Sequence, residues 1–242
     1  MTTAYNDTQF SDEMADGMQY WWWYSARNKT ILTFIRKYNL DNILDVGCGR
    51  GIVTTYLYNK GVNITGVELG KTTPIIESPL KIYFGTDALS LPEEFCKTVN
   101  TISLFDVIEH IEEPVTFLRS LFNKYPNANN LMMTVPSRKE LWSNLDSYYG
   151  HFRRYDFTLL KKEMDEAGFE IVYSSYFFNT TYLVMGLYNK LFKQWNVKLH
   201  PPKSMFSKSF HKLVASIFYI ESLIVPGKIF GSSIVCICRK KC

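Results

Sequence analysis

Residues 43–51, Ile-Leu-Asp-Val-Gly-Cys-Gly-Arg-Gly, constrain this chain more than any other stretch. They read as a short buried strand ending at an acid, a turn with glycine at every second position, and the start of a helix. Glycine lets such a turn reach positive φ and lets a ligand lie against bare main chain. The spacing separates the ligands. A dinucleotide turn follows G-x-G-x-x-G, which counted from Gly47 and Gly49 requires a third glycine at 52. Ile52 stands there, the third glycine comes one residue early at Gly51, and Asp45 precedes the turn. The pattern argues against a nicotinamide dinucleotide.

Two further acids follow in order. Val62-Asn63-Ile64-Thr65-Gly66-Val67-Glu68 ends a strand-like segment on Glu68, placed to accept from both hydroxyls of a ribose. Lys81 to Ala88 then supplies Asp87 after a third such segment. A lone D-x-G-x-G-x-G is also a tight turn in any α/β protein. With both acids behind it, the set resembles the motifs of class I S-adenosylmethionine (AdoMet)-dependent methyltransferases, over roughly residues 18–175. The resemblance implies AdoMet as cofactor. It places the loop of Asp45, Gly47, Gly49 and Gly51 around the methionine part, Glu68 on the ribose, and Asp87 with Ala88 at the adenine. Phe105, at the 104–106 strand end, completes that set.

A chain of 242 residues suits one large α/β domain. Hydrophobic content of 46% and charged content of 21% are those of an ordinary folded soluble protein. The five cysteines show no ligand spacing beyond Cys236-x-Cys238, whose side chains would point to opposite faces of a strand. That odd count, with no secretory leader in view, leads us to expect a reducing cytoplasm. No apolar run is long enough to span a bilayer. The net charge of +4 conceals an asymmetry: residues 1–170 hold 17 Lys+Arg against 22 Asp+Glu, whereas 171–242 hold 10 against 1.

Strand signals at 43–47, 63–68, 81–84, 100–106 and 129–135 alternate with segments that suit helices. That alternation argues for a doubly wound, mostly parallel sheet covered on both faces. Apolar residues recur at helical intervals from Gly17 to Tyr38, and further helices are expected at 114–123 and 157–167. Strands at 169–178 and 232–239 bring the expected count to seven, with the last antiparallel as the class I resemblance implies. The 180–230 stretch is too long for a simple connection and reads as two helices, near 181–193 and 205–224, broken at Pro201-Pro202. One domain over 1–242 is expected: an N-terminal lid and helix (1–40), the AdoMet-binding core (41–179), the helical insertion (180–230) and the last strand (231–242).

Methyl transfer from a sulfonium needs an aligned nucleophile and, for a hydroxyl, a base. Two of the four histidines stand in suitable places. His110 ends Phe105-Asp106-Val107-Ile108-Glu109-His110-Ile111, which resembles the family's D-V-[IL]-E-H-[IL] signature. Similarity to quinone O-methyltransferases also raises a divalent metal on Asp106, Glu109 and His110, although no metal is our expectation; helix capping is the plain alternative. His151 lies in Tyr148-Tyr149-Gly150-His151-Phe152-Arg153-Arg154-Tyr155, and the string from Pro136 resembles methyltransferases of polysaccharide and small-molecule gene clusters. Imidazole titrates near neutrality, so His151 is the expected general base, with His110 second. Trp142, Tyr149, Arg153 and Arg154 are expected to bind an oxygen-rich or anionic acceptor, arginine taking a carboxylate or phosphate with two parallel hydrogen bonds; pairing of the two arginines with surface acids is the alternative. Three consecutive tryptophans, 21–23, cannot all face one core, and by resemblance Arg27 beside them reaches the cofactor carboxylate.

These readings point to methyl transfer from AdoMet to a small molecule, with a hydroxyl of a sugar, surface-polysaccharide precursor or related metabolite favoured. The alternatives are a non-catalytic AdoMet-binding partner protein and an N-methyltransferase of a small amine. Nucleic acid is not expected, because no recognised binding element accompanies the basic third. A monomer or homodimer is expected. The lysine-rich insertion is expected to pack on the domain as a substrate lid, or on a second subunit, ahead of contacting a membrane surface.

Overall fold

The computed structural model describes residues 15–192, 194–195 and 200–241; the N-terminal lid expected over the opening residues lies almost wholly outside them. Seven strands are present: β1 (Ile43–Val46), β2 (Ile64–Glu68), β3 (Ile82–Phe84), β4 (Thr101–Phe105), β5 (Asn130–Pro136), β6 (Phe169–Phe177) and β7 (Ser233–Lys240). They form one sheet in the order β3-β2-β1-β4-β5-β7-β6. The pairs from β3 through β5 are parallel, and β7 runs antiparallel to both β5 and β6. The expected doubly wound, mostly parallel sheet with an antiparallel last strand is therefore the observed one.

Alternation along the strands explains the two layers. Leu44, Ile102, Leu104, Met133 and Cys236 face one way, against Leu118, Leu121, Phe122, Leu160 and Met164. These last come from helices α4 (Pro114–Lys124) and α6 (Phe157–Ala167). Ile43, Ile64, Met132, Val235 and Ile237 face the other way, against Ile31, Ile35, Leu57 and Ala215. Successive strand residues point to opposite faces, so each central strand buries both of its rows. Helices α1 (Trp22–Lys37), α2 (Ile52–Tyr58) and α8 (Met205–Ile224) cover this second face. The short helices α3 (Glu93–Cys96) and α5 (Asn144–Tyr148) belong to connections. Asp156 accepts from the Leu159 N–H to open α6, and Gly168 closes it at φ 91°.

The insertion consists of α7 (Asn179–Leu191) and α8. Ala215 of α8 is fully buried, and around it α8 lies along α1. The Trp22 N–H donates to His211 Nδ1 (3.1 Å), Lys29 Nζ donates to Ser216 Oγ (3.0 Å), and Trp22 stacks on Phe218. Helix α7 instead meets the turn after β5, where Asn189 Nδ2 donates to the Leu141 carbonyl (3.2 Å) and the Tyr182 hydroxyl to Glu140 (3.2 Å). Each helix packs on the domain by one face and leaves the other in solvent.

Candidate active site

A cleft opens at the carboxyl ends of β1, β2 and β4, where ligands collect in open α/β sheets. The turn after β1 forms its floor. Gly47 has φ 74°, and a Cβ there would come 2.9 Å from Val107 Cγ2. Gly51 has φ 77°, and its Cβ would come 2.6 Å from Ile82 Cδ1. Positive φ, together with these close approaches, selects glycine at both positions. Gly47 and Gly49 line the cleft; Gly51 does not, serving to start α2.

Asp45 is 1% exposed and accepts from the Thr54 hydroxyl (2.7 Å) and the Ser103 hydroxyl (3.0 Å). Burial pushes its pKa up to about 6, although those two bonds and nearby Arg27 favour the charged form. Glu68 accepts from the Gly49 N–H (2.8 Å) and the Gly70 N–H (2.7 Å), so its carboxylate holds the turn in place. Burial raises its pKa against the pull of those bonds. Each carboxylate oxygen keeps acceptor capacity for a ligand hydroxyl. Asp87 accepts from the Leu89 N–H (2.9 Å) and lines the far end of the cleft with Ala88. Phe105 contributes an apolar wall.

Arg27 is buried in the cleft wall, beneath the Trp23 ring, and pairs with Asp106 at 2.6 Å. Asp106 has φ 57°, a left-handed conformation at the exit of β4. The triple-tryptophan segment divides its work: Trp23 faces the cleft, Trp22 packs on Phe178 and Phe218, and Trp21 meets His211. The residues present fit AdoMet. A buried guanidinium suits a carboxylate, Glu68 suits a ribose, and Asp87 beside apolar walls suits a purine.

Beside this cleft lie the two histidines. His110 lines it. Burial and the neighbouring His151 lower its pKa to about 3, so it stays neutral at physiological pH. His151 meets it edge-on, ring centroids 4.6 Å apart. Its Nδ1 lies 2.8 Å from Asp146 Oδ1. Burial works to raise the Asp146 pKa, but the His151 bond and Arg154 outweigh it and hold it at about 2. Asp146 is the site residue to which sequence reasoning gave no role. Its available signal was the Ser143-x-x-Asp146 capping box that fixes the start of α5.

The structure separates the expected acceptor residues from the cleft lining. Trp142 is 40% exposed and Tyr149 is buried. Arg153 donates to Glu163 (3.0 Å) and the Glu112 carbonyl (2.6 Å). Arg154 donates to Asp146 (2.7 Å) and the Ser137 carbonyl (3.2 Å). Both guanidinium forks are turned toward protein acceptors, and the acids they meet are buried, not the surface acids of the alternative reading. The metal option also changes. Asp106 is engaged by Arg27, and the group that draws together is Glu109, His110 and His151, with ligand atoms within 4.8 Å of one another.

The profile of a methyltransferase-domain family matches residues 12–174. The ubiquinone biosynthesis O-methyltransferase of Pseudomonas entomophila is 25% identical over 103 residues, 40% of this chain and 44% of that protein. The mitochondrial ubiquinone biosynthesis O-methyltransferase of Schizosaccharomyces pombe is 28% identical over 108 residues, 40% of this chain and 38% of that protein. The chain thus matches less than half the length of these curated relatives. Among solved structures, a SAM-dependent methyltransferase from Archaeoglobus fulgidus superposes with a TM-score of 0.51 at 18% identity, covering 88% of this chain and 94% of the other. The plantazolicin methyltransferase in complex with SAH gives 0.55 at 12% identity, covering 97% and 88%. Identities this low speak for the fold alone, but the family match covers well over half the sequence. The chain belongs to the methyltransferase-domain family, on the class I AdoMet-dependent fold.

Proposed function

We propose that this protein transfers the methyl group of AdoMet to a hydroxyl of a small molecule, a sugar, surface-polysaccharide precursor or related metabolite. The observation that carries the reading is the Asp146–His151 pair at 2.8 Å against the wall of the cleft. AdoMet supplies an electrophilic methyl on a sulfonium, so the chain's own residues need only hold the two substrates in line and take a proton. Arg27 holds the carboxylate end of the cofactor, Glu68 the ribose, and Asp87 with Ala88 the adenine. The Asp146 carboxylate fixes the His151 tautomer with hydrogen on Nδ1, which leaves Nε2 as the basic nitrogen. His110, held neutral with a pKa of about 3, is too weak a base for the task and contacts the acceptor instead.

The test is the His151→Ala variant. AdoMet affinity by calorimetry is expected to stay unchanged, and turnover on an acceptor to fall about a hundredfold or more. His110→Ala, at the cleft lining where its ring meets His151 but on another loop, is the control. Near-normal turnover in His151→Ala removes the base and shifts weight to an amine acceptor, which attacks unaided. A second reading rests on the Glu109, His110 and His151 group, whose donors suit a divalent cation. Chelator-sensitive turnover restored by one added divalent metal favours that reading over a purely protonic base.

A further inference from the structure

Helix α8 carries two faces with opposite fates. Ala215 centres the face that meets α1 and is fully buried. Phe206, Phe210, Leu213, Ile217, Ile220 and Ile224 recur at steps of four and three, which sets them in one row on the other side. All six are more than half exposed, Phe206 at 84%. On α7, Leu183, Leu187 and Leu191 are likewise exposed at 57%, 61% and 66%. A monomeric soluble surface rarely leaves such a row of large apolar side chains in water, and a patch of that kind marks a docking site.

Charge decides the occupant. Lys190 of α7 and Lys212 of α8 are exposed, as are Lys203 and Lys228 in the segments flanking α8. The sole acid between Glu170 and the C-terminus is Glu221. Its carboxylate accepts from both the N–H and the hydroxyl of Thr180 (2.6 and 2.7 Å), tying α8 to the start of α7. A second copy of this chain placed on the same face would set lysines against lysines, with Glu221 already held by Thr180 and Glu140 by the Tyr182 hydroxyl. An anionic bilayer supplies the missing charge and takes the apolar rows at once. No helix among the described residues is long and apolar enough to cross a membrane, so the contact lies in the plane of the surface.

We propose that the outward faces of α7 and α8 form a docking surface for an anionic lipid bilayer. The placement reverses the order of preference read from the sequence, because only the coordinates show which face of each helix is left over. Helix α7 leaves the sheet, and the chain rejoins it at β7, on the carboxyl edge that also holds the cleft.

The experiment is co-sedimentation of the full chain with phosphatidylcholine–phosphatidylglycerol vesicles and with phosphatidylcholine vesicles alone. Pelleting is expected with the anionic vesicles, weaker by several-fold on the neutral ones and at high salt. The double substitution Phe210→Glu with Ile217→Glu is expected to lower it about tenfold or more, with AdoMet affinity and circular dichroism unchanged. Absence of pelleting on anionic vesicles, or equal pelleting of the double variant, overturns the proposal. So does a solution dimer, seen by sedimentation equilibrium, that the same double substitution dissolves, since that outcome gives the face to a second copy.

Discussion

Asp45, in the lining of the cleft, sets its charge against the stability of the fold. Its carboxyl has a pKa of about 6 in the fold against an ordinary 3.8, because burial disfavours the charge. Between those values the native state keeps a proton that the unfolded chain has lost. The stabilising contribution is therefore complete below 3.8 and lost as pH rises through about 6. Above that window the buried charge costs on the order of 3 kcal/mol. Asp45→Asn is expected to raise the unfolding free energy at pH 8 by up to about that amount, with little change near pH 4, in urea titrations at the two pH values. Equal effects at both would mean that ionisation is not the cause. Glu68→Ala is expected to weaken AdoMet binding by about 1–3 kcal/mol in calorimetry, the cost of losing charge-assisted bonds. Unchanged affinity in a folded variant would remove the ribose assignment. The positions of both acids were legible, because Asp45 stands just before the glycine turn after β1 and Glu68 ends β2, at a known sheet edge. The partners of Arg153 and Arg154 were not, since no periodicity says that Glu163 and Asp146 lie nearest to their guanidinium groups.

Helix α1 illustrates what a periodic pattern gives and withholds. The pattern from Gly17 to Tyr38 locates the helix, but Met18–Tyr20 winds as a separate 3-10 turn and α1 starts at Trp22. Which face of α8 meets α1 was not legible either, because both of its faces are rich in apolar residues. Burial settles it, and a comparison of two positions tests it. Ala215→Leu is expected to cost about 1–3 kcal/mol by overpacking against α1, whereas Leu213→Ser, on the exposed side, is expected to stay within about 0.5 kcal/mol. Thermal unfolding of the two variants checks the assignment, and a reversed order would turn the helix around. Three strand exits were equally hidden. Asp106, Arg138 and Phe178, at the ends of β4, β5 and β6, all have positive φ. Aspartate enters that region with some ease, but nothing about arginine or phenylalanine announces it.

The whole fold was the most legible level, since alternating strand and helix signals of ordinary length admit few topologies. The cleft draws on segments from Trp23 to Phe117, so a ligand that binds there bridges α1 and the first four strands. AdoMet at a hundred times its Kd is expected to stabilise the chain by about 2.7 kcal/mol, read as a rise in Tm. NAD at the same concentration is expected to leave Tm unchanged, and an equal rise would overturn the cofactor. The antiparallel course of β7 carries a consequence of another kind. The chain departs from the sheet at Phe178 and returns at Ser232, and the Ser232 N–H donates to the Phe178 carbonyl (3.2 Å). The excursion between them is pinched shut at its base. Its length, charge and oiliness can drift over generations without moving a single strand partner, provided a helix still shelters Trp22 and Phe178. On the proposed reading, the surface that docks and the cleft that binds AdoMet can change independently.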